Sequence, residues 1–104
     1  MIIRRLADVS VKDTAHGVDV RNVYNVSEVM VTIIRLRPGE KLKKHITPVD
    51  VVFYVLKGLG VVEVGDEKQS VSGDTLVESP KDIPHCWYNE SDEDLEFMVI
   101  KAPR

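Results

Sequence analysis

The chain has 104 residues, 43% apolar and 30% charged, with a formal net charge of −3. That length accommodates one hydrophobic core and no second domain, and the mixture of apolar and charged residues is that of a folded chain, not a disordered tail. The acidic balance excludes a nucleic-acid partner, because binding a phosphate backbone calls for a basic surface.

Met1 to Leu6 is apolar for too short a span to be a secretory leader, and no apolar run is long enough to cross a bilayer. A cytoplasmic protein without a membrane partner is therefore expected. The single cysteine, Cys86, cannot make an internal disulfide, which agrees with a reducing compartment.

In chain order the apolar spacing is short and rich in Val and Ile, with no window of helical period. It predicts strands at Ile2 to Leu6, Val18 to Tyr24, Glu28 to Leu36, Val51 to Leu56, Gly60 to Val64, Glu67 to Val71, Thr75 to Glu78, Pro84 to Tyr88 and Leu95 to Lys101. The clearest hairpin joins Val61–Val64 to Glu67–Val71 through Gly65-Asp66, where glycine supplies the positive φ that a tight turn needs. Arg37 to Glu40 reads as another turn. Lys41, Lys43 and Lys44 read as a solvated group. Many short strands in one chain predict an all-β sandwich or barrel, a single domain spanning residues 1–104.

Two segments carry the candidate chemistry. In the first, Gly39 is followed by His45, then by the apolar string Phe53-Tyr54-Val55-Leu56 ending at Gly58. The second runs from Gly73-Asp74 through Pro80 and Pro84 to His85 and Asn89. This two-part pattern resembles the cupin family, in particular its small single-domain members of the conserved-barrel type. The resemblance covers roughly Pro38 to Asn89 and implies a double-stranded β-helix, a jelly-roll barrel with the two motifs on neighbouring strands. Gly39, His45 and Gly58 match the first motif, and Gly73, Pro80, His85 and Asn89 the second. The departures are specific. Thr47 stands where the family has a second histidine, Val51 where it has a glutamate, and Asp82 where it has an inner glycine.

His45 and His85 are thus the candidate metal ligands that remain, for iron, manganese, nickel or zinc, or for no metal at all. Catalytic divalent sites usually have at least three protein ligands. Asp50 is a further candidate, but if Val51 points inward a regular strand turns Asp50 outward, and a bulge after Pro48 would be needed to reverse it. The expected ligand-binding set is His45, Thr47, His85 and Trp87, with Trp87 read either as a pocket wall or as plain core. Glu78 faces either the barrel or solvent. Cys86 adjoins His85, but neighbours on a strand face opposite ways, which argues against a thiolate nucleophile there. His16 reads as a surface-loop histidine.

The leading expectation for function is a barrel that binds a small polar or anionic molecule in its interior. A metal-dependent enzyme of the dioxygenase or isomerase type, using His45, His85 and a carboxylate, is the first alternative. A ligand-free regulatory or scaffold dimer is the second. Apolar strands expected at both ends of the chain predict a homodimer.

Overall fold

The computed structural model describes residues 1–103 and is built almost wholly from strands. They are β1 (Asp19–Asn25), β2 (Met30–Leu36), β3 (Lys41–His45), β4 (Val51–Lys57), β5 (Leu59–Val64), β6 (Glu67–Ser72), β7 (Thr75–Ser79), β8 (His85–Tyr88) and β9 (Leu95–Lys101). All pairings are antiparallel and form two sheets, β1-β2-β9-β4-β7 and β3-β8-β5-β6. Among the described residues no helix is long and apolar enough to cross a membrane.

The alternating pattern explains the layering. β4 and β9 bury every second residue, Val51, Phe53 and Val55 on one and Leu95, Phe97 and Val99 on the other. The four-stranded sheet answers with Leu42, Val62 and Trp87. Trp87 stacks on Phe97 with ring centroids 4.4 Å apart, and Phe53 meets both edge-on. This aromatic triad joins the two sheets. Such pairs add about 0.5–1.5 kcal/mol each beyond the area they bury.

Two expectations about elements need correcting. Ile2 to Leu6 is not a strand: Met1, Ile2 and Ile3 are exposed, and the segment ends in a 3-10 turn at Leu6–Asp8, tied down where Arg21 donates to the Leu6 carbonyl. Apolar residues alone make no strand when no neighbouring strand offers them a ladder. Conversely, Lys41, Lys43 and Lys44 belong to β3, an edge strand that buries only Leu42 fully. Its exposed lysines protect an open edge.

Candidate functional site

The position of His45 depends on an irregularity. Along β3 and β8, Leu42 pairs with Trp87 and His45 with His85, so three steps on one strand match two on the other. Leu42 and His45 would face opposite ways on a regular strand, and the extra residue of this bulge turns both inward. His45 Nδ1 then donates to the Lys43 carbonyl, 2.8 Å away within the bulge.

That bond fixes one proton of the group. A carbonyl only accepts, so His45 Nδ1 carries a hydrogen, and whenever Nε2 carries none that nitrogen presents a lone pair. His85 Nε2 lies 3.2 Å from it and donates, leaving His85 Nδ1 to accept from the Ser79 hydroxyl at 2.7 Å. Thr47 Oγ1 is 3.3 Å from His85 Nε2 and shares its proton, so the threonine's own hydrogen is free. His85 is only 2% exposed. Burial above all, then the nearby His45 and Lys101, push its pKa down to about 4, which keeps the ring neutral at neutral pH.

The facing sheet completes the level. Ser79, Lys101 and Met30 are linked in one cross-strand row through Val51, which pairs with both Ser79 and Lys101. Directly opposed residues share a face, and Val51 and Ser79 are buried, so Lys101 projects to the inner side as well. Lys101 is half-buried and joins none of the ion pairs among the described residues. Burial and the charge of Lys12 lower its pKa.

His16 is not the free surface histidine expected. The turn Thr14–Gly17 carries it against His45, ring centroids 4.9 Å apart, and its Nδ1 is buried with no protein partner. Burial, His45, Lys43 and Lys101 all lower its pKa. Three histidines and a lysine therefore crowd one end of the barrel, and no carboxylate contributes to the shifts of His16, His85 or Lys101.

The cupin-domain family model matches residues 32–101. The chain belongs to the cupin family. A Thermus thermophilus protein, TT1209, is similar over 100% of this chain and 99% of its own, at 28% identity and a TM-score of 0.84. A Thermotoga maritima protein described as a predicted oxalate decarboxylase (tm1287) superposes with a TM-score of 0.89 over 99% of this chain and 100% of its own, at 16% identity. A cupin 2 conserved-barrel protein from Salinispora arenicola CNS-205 gives 0.82 at 14% identity, over 98% and 88%. Curated protein sequences provide no significant match.

Within this cupin barrel the expected site residues separate. His45, Thr47 and His85 come together. Trp87 shares the inner face of β8 with His85 but is wholly buried against Phe53 and Phe97. Phe53 touches the His85 ring edge-on at 5.2 Å and forms the floor between them. Asp50 accepts from the Lys81 backbone N–H at 2.9 Å and so helps fix the loop before His85. Glu78 is exposed. Asn89 is structural: its side-chain amide donates to the carbonyls of Leu36 and Glu93. Cys86 faces away from the histidines and donates to Glu63, which also accepts from Tyr88, and burial leads the causes that raise the thiol pKa.

A resident divalent ion of the kind many cupins carry does not fit this donor set. Among the described residues no three His, Cys, Asp or Glu side chains are gathered so as to hold a metal. Val51 occupies the carboxylate position, the two histidine Nε2 atoms bond to each other, and a half-buried ammonium stands across the barrel. Lysine carries no lone pair to offer while protonated and repels a cation.

Besides His16, Ser79 and Lys101 are the members of this group absent from the expected site. Strand alternation held the signal for both, since Thr75-Val77-Ser79 and Leu95-Phe97-Val99-Lys101 are inward series whose last member is polar.

Proposed function

We propose that this cupin binds a small polar or anionic molecule at the barrel mouth, through Thr47, His45 and His85. The observation that carries the reading is the 3.2 Å bond between His85 Nε2 and His45 Nε2. It leaves the two imidazoles bonded to each other instead of two lone pairs aimed at an ion. Beside it, with His85 Nε2 donating, Thr47 retains a hydroxyl hydrogen for an acceptor on the ligand, and Ser79 bonds the other nitrogen of His85 and so orients its ring. A ligand that displaces the His45 contact gains the His85 Nε2 proton as a second donor.

Protein purified without chelator is expected to contain well under one equivalent of transition metal by mass spectrometry. Titration with a panel of small carboxylic acids, amides and alcohols should move the imidazole NMR signals of His45 and His85, with weaker binding in His45→Gln. Stoichiometric metal lost in His45→Gln, or a panel that leaves both imidazoles unmoved, would overturn the reading.

A further inference from the structure

Among the described residues Lys101 is a charged, inward-facing group at this end of the barrel that the hydrogen-bond relay does not use. It closes the inward series of β9, is half-buried, and has no ion-pair partner among the described residues. An ammonium partly withdrawn from water without a counter-charge is unfavourable, and the cost is recovered when an anion meets it. Close by, His16 Nδ1 is a second buried polar atom without a protein partner. The two are near enough for Lys101 to act on the His16 charge.

Lys101 also lines a cleft of about 450 Å³ that shares Thr47 with the histidine group. Its walls include Val26, Met30, Pro48 and Val49 together with the polar Asn25 and Ser27, and among the described residues Lys101 is the one charged residue lining it. The volume lies within the range of small-molecule sites. A polar end at Lys101 and Thr47 and apolar walls leading away from it suit a ligand of matching polarity.

We infer that Lys101 is the anionic anchor of the site, receiving the carboxylate of a small monocarboxylic acid whose apolar body lies along Val26, Met30, Pro48 and Val49. This rests on the reading of the barrel mouth as a small-molecule site and fixes its ligand class. One carboxylate oxygen accepts from the Lys101 ammonium and the other from the Thr47 hydroxyl, beside the His85–His45 pair.

The test compares 3-methylbutanoate with its neutral isostere 3-methylbutanamide by NMR titration of the whole chain, in wild type, Lys101→Met and Lys101→Arg. Wild type is expected to bind the acid at least about 10-fold more tightly than the amide, the size of a charge-assisted hydrogen bond. Lys101→Met should abolish that preference, and Lys101→Arg should restore most of it. Equal binding of acid and amide to wild type, with the Thr47 and His85 signals still moving, would overturn the role of Lys101 while sparing the small-molecule site. Binding of neither compound would overturn the anchor, and the wider panel described above then decides the site. If Lys101→Met does not fold, the wild-type comparison and the shift of the Lys101 ε-methylene signal on adding acid decide the matter.

Discussion

At neutral pH the His85 ring is buried, uncharged and held from both sides, by Ser79 at Nδ1 and by His45 and Thr47 at Nε2. In the unfolded chain it titrates near 6.5, in the folded chain near 4. Between those values the unfolded state binds more protons, so stability rises with pH through this window. The contribution is complete above pH 6.5 and is lost as pH falls towards 4, about 3 kcal/mol in all. His16, also lowered, acts in the same direction. Urea unfolding at pH 7.5 and pH 4.5 should show this loss in wild type and a clearly smaller one in His85→Gln. An equal loss in both would mean that His85 is not the buried neutral base described. That His85 mattered was legible from its place in the second motif. Its Ser79 partner was not, because Ser79 sits one residue past the strand end expected from apolar content, and contact with Ser79 depends on pairing across β4.

Strand alternation and turn chemistry made most elements legible, and the exceptions share a cause. β5 and β6 close on Gly65, whose φ of +58° is the conformation expected of that turn. β3 was hidden because an edge strand with one buried residue looks like a charged loop, and its bulge, which aims His45, leaves no residue-type signal. Asp82, in the family's inner glycine position, takes φ +64° and donates its N–H to the Thr47 carbonyl, so a left-handed residue ties the two motif loops together. The motif glycines Gly58 and Gly73 differ. Gly58 has φ +92°, and a β-carbon there would collide with the Asp94 carbonyl and Leu95. Gly73 has ordinary φ and only van der Waals neighbours, since Asp74 takes the positive φ of that turn. Gly58→Ala should cost about 2 kcal/mol or more and Gly73→Ala well under 1 kcal/mol. Thermal midpoints of the two variants check this, and equal shifts would contradict it.

At the scale of the whole molecule the sheets' open edges bear on assembly. The case for a homodimer from apolar strands at both ends of the sequence does not hold as framed, because β9 lies between β2 and β4 in the interior of its sheet. What remains is the N-terminal arm. Met1, Ile2 and Ile3 are 112%, 78% and 66% exposed, three consecutive large apolar side chains lying on no part of their own core. Burying most of that area would contribute several kcal/mol at about 25 cal/mol per Å², and β1, β7, β3 and β6 are the strands with a free edge to receive a partner. We therefore propose a two-fold dimer in which each arm covers the other protomer, as closed pairs of like chains commonly do. Light scattering across a wide concentration range should give the dimer mass for the full chain and the monomer mass for a chain lacking residues 1–4, with the 3-10 turn, the Arg5 carbonyl that closes it and its Arg21 contact left in place. The truncated chain should keep its ligand response, because Lys101, Thr47 and the histidines all lie within one barrel. A full-length chain that stays monomeric at every concentration would remove the dimer. A truncated chain that stays dimeric would move the interface from the arm to a sheet edge.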